Sequence, residues 1–209
     1  MISQILFITI AIISAYLIGA FPSAYIAGRL RKGIDIREVG SRSMGAMNVF
    51  YKVGFLEGIL VLAVDIGKGA AAVALARWLG VPMVAQLFAG AAAVIGHGFP
   101  VFLKFRGGKG GATCIGILAF LMPWGIPFFA AIFGVSLLLT RYPTLSYSIA
   151  FICFPFVAWL KYHSPELIAF SIGILLLPLI RYLPRIKGMR AKGGSWRHVF
   201  LRKNLKDRL

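Results

Sequence analysis

Long apolar blocks restrict this chain more than any other feature, because one soluble core cannot absorb so many of them. They cover residues 2–27, 55–79, 81–103, 111–140, 145–160 and 167–180. A membrane-spanning helix needs about 20 predominantly apolar residues, and most of the blocks are long enough. Charged residues make up only 14% of the chain, against about 25% in an ordinary soluble domain. The sequence therefore predicts an all-α fold, with residues 1–209 forming a single polytopic integral membrane domain.

The block 111–140 is too long for one ordinary span, and Pro123 and Pro127 bracket a natural break within it. Charge decides the count, because short loops rich in Lys and Arg stay in the cytoplasm. Segments 29–52, 104–109 and 181–209 hold six, three and ten such residues, and only a split of the block puts all three on one side. We predict about seven transmembrane helices, with the N-terminus outside, the C-terminus cytoplasmic and a basic cytoplasmic tail at 185–209.

The formal net charge of +17 does not indicate a nucleic-acid partner, because the basic residues lie in membrane loops and no nucleic-acid motif accompanies them. No histidine has a second His or Cys at metal-ligand spacing, and the two cysteines are isolated in separate apolar blocks. The His-x4-Asp and Gly-x-Ser-x-Gly signatures are also absent. We therefore expect no metal, no cofactor and no nucleic acid.

A first polar segment, residues 35–48, carries more Gly, Ser, Asn and Arg than a membrane loop requires. Ser41, Arg42 and Asn48 offer a hydroxyl, a guanidinium and an amide within one short stretch, which suits the binding of an anion. A solvated loop with two turns explains the same composition equally well.

A glycine-rich segment, residues 96–113, is more specific. Glycines on both sides of Lys109 remove side chains, so successive backbone N–H groups can close on a phosphate while the ammonium neutralises it. If a helix begins near Ala112, its N-terminal dipole points at the same anion. The segment predicts a phosphate site, and the alternative is a flexible basic loop at the lipid headgroups.

Asp65 and Lys68 lie about ten residues into the second apolar block, where ionisable groups are costly and face a bundle interior or a wet cavity. Their i,i+3 spacing lets them neutralise one another. Structural pairing is the predicted role, and a contribution to the electrostatics of a site is the alternative.

These residues together resemble the bacterial integral-membrane acyl-phosphate:glycerol-3-phosphate acyltransferases (PlsY family). The resemblance covers about residues 15–147, and the glycine-rich segment is its most specific part. The matching motifs are Ala15-Tyr16-Leu17-Ile18-Gly19, Asp35-Ile36-Arg37-Glu38, Gly40-Ser41, Gly45-Ala46, Asn48-Val49, Asp65 with Lys68-Gly69, Gly96-His97-Gly98-Phe99-Pro100-Val101-Phe102, Gly107-Gly108-Lys109-Gly110 and Thr140-Arg141-Tyr142.

The resemblance implies seven spans and a reaction at the cytoplasmic face of the cell inner membrane. An acyl group would pass from a fatty acyl phosphate to the 1-hydroxyl of sn-glycerol 3-phosphate, giving lysophosphatidic acid and phosphate in the first step of phospholipid synthesis. It also implies membrane lipid around the site and a soluble phosphate acyltransferase that supplies the donor.

The resemblance also implies the residues of the site. Lys109 would hold the leaving phosphate, and Ser41 with Asn48 would belong to the first loop that lines the site. His97 would either assist proton removal or fix the loop. Lys109, Ser41 and His97 are the predicted catalytic residues. The predicted substrate-binding residues are Arg42, Asn48, Lys104, Gly107, Gly108, Gly110, Arg141 and Thr144.

The sequence departs from the family pattern at several positions. Arg42-Ser43 replaces Gly-Asn, Met47 replaces Thr, Tyr51 replaces Arg, Thr144 replaces Ser, and Tyr182 and Arg185 replace His and Asn. These changes remove part of the expected pocket for the acceptor phosphate. Two interpretations follow: an acyltransferase with an altered acceptor pocket, or a non-enzymatic membrane protein that binds phosphate or lipid, or acts as a carrier.

Overall fold

All regular elements of the computed structural model, described for residues 2–176 and 178–183, are helices. This confirms the all-α integral membrane fold, while the basic tail predicted at 185–209 lies outside the described residues. A 3-10 turn covers Val101–Leu103, a π-helical turn covers Ala158–Tyr162, and residues 178–183 are helical. The α-helices are α1 (Ile2–Ala20), α2 (Ser23–Lys32), α3 (Ala46–Lys52), α4 (Phe55–Trp78), α5 (Met83–Gly98), α6 (Gly111–Leu121), α7 (Gly125–Thr140), α8 (Pro143–Ala150), α9 (Cys153–Val157) and α10 (Pro165–Gly173).

Five helical stretches of the described chain are long and apolar enough to cross a membrane, and α6 and α7 are two shorter apolar helices. The block 111–140 is therefore split as the sequence predicts, by a turn at residues 122–124 that contains Pro123. Pro127 lies inside the first turn of α7, where a proline is tolerated because its missing N–H has no helical acceptor. The break thus lies at the first of the two prolines.

The first apolar block, residues 2–27, is interrupted near its end. α1 ends at Ala20 and α2 begins at Ser23, with Pro22 between them. A proline at this place cannot donate the next helical hydrogen bond and its ring clashes with the preceding turn. The break leaves the carbonyl group of Phe21 available as an acceptor for side chains.

Two helices occupy the segment between the first and second spans. α2 extends to Lys32 and ends at Gly33, whose φ of 65° is left-handed. Its last turn carries Arg29, Arg31 and Lys32, and cations there are favourable because the carbonyl end of a helix is negative. α3 follows the first polar segment. The polar region is thus a compact arrangement of short helices and turns.

The chain divides at Leu121 and Met122 into two compact units. In the first unit α1 and α5 approach so closely that a Cβ at Gly19 or Gly96 would overlap the backbone of the other helix. α4 and α6 meet in the same way at Gly69 and Gly116. Small residues permit such close helix contacts within membranes. The two contacts bring the last turns of α1 and α5 and the start of α6 to the middle of α4.

The second unit is organised by aromatic packing. The rings of Phe129, Phe151 and Phe154 lie 5.4–6.2 Å apart between centroids. Gly125 lies so close to the Phe154 ring that a Cβ there would overlap it. The buried Ser146 hydroxyl donates to the Tyr142 carbonyl at 2.9 Å, so this unit has its own core.

Candidate active site

The glycine-rich segment folds back on the end of α5. The N–H of Gly107 donates to the Gly98 carbonyl at 3.2 Å, and the N–H of Gly108 donates to the His97 carbonyl at 3.0 Å. Before this turn Lys104 and Phe105 both have left-handed backbones, with φ of 53° and 59°. The segment therefore has a fixed course between α5 and α6, and is not an extended flexible loop.

Close packing explains why residues 107 and 108 are glycines. A Cβ at Gly107 would overlap the His97 carbonyl oxygen, and a Cβ at Gly108 would overlap the His97 imidazole. The glycine-rich pattern predicts backbone N–H groups that face an anion, but the N–H groups of Gly107 and Gly108 donate to carbonyls of α5. That part of the expectation is wrong. Direct contact of the two residues with substrate stays a prediction.

The start of α6 offers the N–H groups that the preceding turn does not. The first helical bond runs from the Cys114 N–H to the Gly110 carbonyl at 2.9 Å, so the N–H groups just before it have no acceptor within the helix. Lys109 is half-buried directly before this helix end. A lysine that shortly precedes a helix N-terminus suits a phosphate, because its ammonium and the helix dipole both attract an anion.

His97 lies beneath the glycine turn. Its side chain is only 5% exposed, and its Nδ1 is 3.8 Å from Oδ1 of Asp65. The opposite edge of the ring, which carries Nε2, packs against Gly108. Of the two roles that the sequence left open, this geometry favours fixing the loop, because the imidazole is enclosed on both edges.

The predicted pair of Asp65 and Lys68 forms, with Nζ of the lysine 2.9 Å from Oδ1 of the aspartate. Both side chains are buried. The Ser23 hydroxyl donates to the same carboxylate oxygen at 2.7 Å, and the Lys68 ammonium donates to the Phe21 carbonyl at 3.2 Å. The break between α1 and α2 thus supplies two partners that sequence reasoning missed, although Pro22 was a signal for that break.

The first polar segment is held together by Asn48. The Asn48 side-chain amide donates to the carbonyls of Ile36, Val39 and Ser43 at 2.9–3.1 Å, and its Oδ1 accepts from the Ser41 N–H at 3.1 Å. The side chain is buried at the start of α3. Its polar atoms bond to the segment itself, so the structure gives Asn48 an organising role. Its predicted contact with substrate stays a prediction.

Ser41 and Arg42 lie at the exposed tip of this segment. Arg42 has a φ of 55°, a left-handed conformation that favours glycine. This agrees with the family pattern, which has a glycine at this position. Arginine here retains the turn and adds a cation next to Ser41.

Arg37 ties the two polar segments together. Its guanidinium contacts the Asp35 carboxylate at 2.7 Å and donates to the Leu103 carbonyl at 3.1 Å. The hydrogen bond from Arg37 lowers the pKa of Asp35 to about 2. A second, exposed link joins Arg106 to Glu38 at 3.3 Å. The segment that carries Ser41 and the segment that carries Lys109 are therefore fixed to one another.

Lys104, Arg141 and Thr144 complete the predicted set. Lys104 belongs to the same unit and is exposed. Arg141 and Thr144 belong to the second unit, where Arg141 follows α7 with a φ of 52°. Their participation in the site stays a prediction, and Arg185 lies outside the described residues. Within the described ranges, no group of three or more His, Cys, Asp or Glu side chains could hold a metal.

Comparison with known proteins gives matches over nearly the whole chain. The family model of glycerol-3-phosphate acyltransferase matches residues 9–192. Glycerol-3-phosphate acyltransferase 2 of Dehalococcoides mccartyi is 54% identical over 209 residues, which cover 99% of this chain and 100% of that protein. Glycerol-3-phosphate acyltransferase of Endomicrobium trichonymphae is 37% identical over 92% of this chain and 96% of that protein.

A solved structure matches as well. The crystal structure of PlsY (YgiH), an integral membrane glycerol 3-phosphate acyltransferase in its glycerol 3-phosphate form, aligns with a TM-score of 0.80 and 31% sequence identity. The alignment covers 90% of this chain and 92% of the other. The helical arrangement is therefore shared with an integral membrane protein along most of its length.

Proposed function

The chain belongs to the glycerol-3-phosphate acyltransferase family, and from that premise we propose that it takes its acyl group from a fatty acyl phosphate. As a member of this family it is an integral membrane acyltransferase of phospholipid synthesis. In the proposed reaction the 1-hydroxyl oxygen of sn-glycerol 3-phosphate bonds to the acyl carbon, the bond from that carbon to the phosphate oxygen breaks, and the hydroxyl proton is released. The products are lysophosphatidic acid and inorganic phosphate.

Lys109 carries the proposal for the donor. The residue lies two positions before Gly111, where α6 begins, and both its ammonium and the helix end favour a phosphate group. An acyl phosphate is already an activated anhydride, so the protein needs to orient it and to stabilise the charge that develops on the leaving phosphate. Lysine and helix dipole supply that stabilisation without a covalent intermediate.

Ser41 and Arg42 carry the proposal for the acceptor. Both are exposed at the tip of the first polar segment, and the Arg37 link holds this segment against Leu103. In our proposal the Ser41 hydroxyl contacts glycerol 3-phosphate and the Arg42 guanidinium binds its phosphate, in place of the arginine that the family has at Tyr51. Lys104, Arg141 and Thr144 are the further proposed substrate contacts.

We place the reaction at the cytoplasmic side of the cell inner membrane, because the three segments richest in Lys and Arg lie on one side of the proposed seven-span topology. A water-soluble acceptor and a greasy donor meet most readily at that surface. The basic surface also suits transient docking of a soluble phosphate acyltransferase that delivers acyl phosphate.

A membrane assay tests the donor. Purified protein in mixed micelles receives labelled glycerol 3-phosphate with palmitoyl phosphate, palmitoyl-CoA or a palmitoylated carrier protein, and lysophosphatidate and released phosphate are measured. We expect equal amounts of both products with palmitoyl phosphate and neither with the other donors. Equal turnover of a thioester would refute the proposed donor.

Lys109→Ala is the site variant and Lys161→Ala its matched control. Lys161 lies in the second unit, with its ammonium 5.0 Å from the centre of the Trp124 ring, so it shares residue type but no proposed role. We expect kcat/KM for palmitoyl phosphate to fall about 100-fold or more in Lys109→Ala, the scale of losing one transition-state charge contact. An active Lys109→Ala variant would refute the assigned role.

A further inference from the structure

The buried carboxylate of Asp65 contacts more than its ion-pair partner. Its Oδ1 accepts hydrogen bonds from Ser23 at 2.7 Å and from Lys68 at 2.9 Å, and it also faces Nδ1 of His97 at 3.8 Å. Three helices, α2, α4 and α5, therefore converge on one oxygen atom. Asp65 is only 1% exposed, so water does not compete for these contacts.

Charge neutralisation alone does not explain this arrangement. An Asp and a Lys at i,i+3 neutralise each other on a single helix, and a buried ion pair within a membrane is costly compared with an apolar pair. The position of the imidazole adds a second function for the same carboxylate. At 3.8 Å the two groups do not form a hydrogen bond, but the negative charge of the buried carboxylate attracts the Nδ1 edge of the imidazole and so biases the orientation of the ring.

The imidazole transmits this orientation to the glycine turn. Its Nε2 edge packs on Gly108, so tightly that no Cβ fits between them. The His97 carbonyl accepts the Gly108 N–H at 3.0 Å, and Lys109 is the next residue. Ring and backbone of His97 thus hold the turn from which Lys109 extends.

We infer that Asp65 is a positioning residue for the reaction, acting through His97 on the turn that carries Lys109. The inference rests on the proposed function, because it requires Lys109 to hold the phosphate of the donor. Rotation of the imidazole would release Gly108 and move the ammonium relative to the start of α6. The donor site, and not the acceptor site, is then the part of the reaction that depends on Asp65.

Steady-state kinetics of four variants test the inference: Asp65→Asn, Asp65→Asn with Lys68→Met, His97→Asn, and Asp65→Asn with His97→Asn. Each is assayed per mole of folded protein, with both substrates varied. We expect Asp65→Asn to lower kcat/KM for palmitoyl phosphate by about 10- to 100-fold, the upper end being the scale of a 1 Å misplacement of a group that orients the substrate. The KM for glycerol 3-phosphate stays within about threefold of the wild-type value.

The paired variants separate positioning from neutralisation. Asp65→Asn with Lys68→Met removes both charges, so we expect it to regain thermal stability but not kcat/KM for the donor. The double variant Asp65→Asn with His97→Asn should have the same kcat/KM for palmitoyl phosphate as His97→Asn alone, because Asp65 acts only through His97. The inference would be overturned if Asp65→Asn with Lys68→Met recovered the wild-type kcat/KM. It would also be overturned if the loss in Asp65→Asn with His97→Asn equalled the product of the two single-variant losses.

The wild-type assay keeps the two proposals distinct. An inactive wild type with palmitoyl phosphate defeats the proposed donor. An active wild type whose Asp65→Asn variant, with or without Lys68→Met, retains full kcat/KM for that donor defeats the positioning role alone.

Discussion

Two glycines of α4 offer a sharp test of the helix contact on which the site rests. Gly69 faces α6, where a Cβ would overlap the Thr113 carbonyl oxygen, whereas a Cβ at Gly67 meets no atom within 4 Å. Both glycines lie inside the same helix. Replacement of either glycine by alanine therefore raises helix propensity by the same amount, and the two variants differ only in packing.

The expected changes in the free energy of unfolding follow from helix propensity and from packing. Alanine stabilises a helix interior by about 1 kcal/mol relative to glycine, so Gly67→Ala should raise the free energy of unfolding by about that amount. Overpacking costs about 1–3 kcal/mol, and the overlap at Gly69 is with backbone, which cannot rotate away. Gly69→Ala should therefore be about 1–3 kcal/mol less stable than Gly67→Ala. For a chain of this size that difference corresponds to about 2–12 °C in Tm.

Thermal unfolding in detergent, followed with a thiol-reactive dye, measures the difference. Cys114 and Cys153 are both buried, and Cys114 adjoins Thr113, so opening of the contact exposes a reporter next to it. Because α6 begins at the proposed donor site, displacement of α6 should also lower kcat/KM in Gly69→Ala but not in Gly67→Ala. The reasoning is refuted if Gly69→Ala melts at or above the temperature of Gly67→Ala.

Three further outcomes are expected from the site. Asn48→Ala removes the side-chain partner of the Ser41 N–H and of the Ile36 and Ser43 carbonyls, and one of two partners of the Val39 carbonyl. This should cost about 1–3 kcal/mol, which thermal unfolding would show; an unchanged Tm would contradict the organising role. The pKa of Asp35 is lowered to about 2 from 3.8, so its stabilising effect is complete above pH 3.8 and is lost as the pH falls through about 2. The Tm advantage of the wild type over Asp35→Asn should therefore shrink across that interval, and a constant advantage would contradict the assignment. The buried Thr113 hydroxyl has no hydrogen-bond partner among the described residues, so Thr113→Val should raise Tm because an unpaired polar group is removed; a lower Tm would reveal a bond that this threonine makes.

The fold was largely predictable because its dominant signal is simple. Lipid requires long apolar helices. The lengths of the apolar blocks, together with the requirement that the basic loops lie on one side of the membrane, predict the number of helices and the split of the block 111–140. Helix breaks within apolar blocks were harder to place. Pro22 lies in such a block without charged neighbours, so hydropathy does not indicate the break there, although the chemistry of proline does.

The special course of the glycine-rich segment was predictable, but the direction of the polar groups in the two segments was not. The motifs correctly identified the glycine-rich segment as structurally special, but glycines that admit an anion and glycines that admit a packed histidine look alike in a sequence. Asn48 poses the same difficulty, since an asparagine that binds substrate and one that bonds to its own segment look the same in a sequence. Only the fold shows that Asp65, 32 positions before His97 in the sequence, faces that imidazole.

The burial of Asp65 and His97, which are 1% and 6% exposed, bears on the fate of the donor. The turn that carries Lys109 packs on this buried imidazole through Gly108, so the proposed phosphate site has an inner wall that is closed to water. An activated anhydride held against that wall would be sheltered from hydrolysis on that side. The fraction of donor consumed without ester formation therefore measures how well the protein keeps water out.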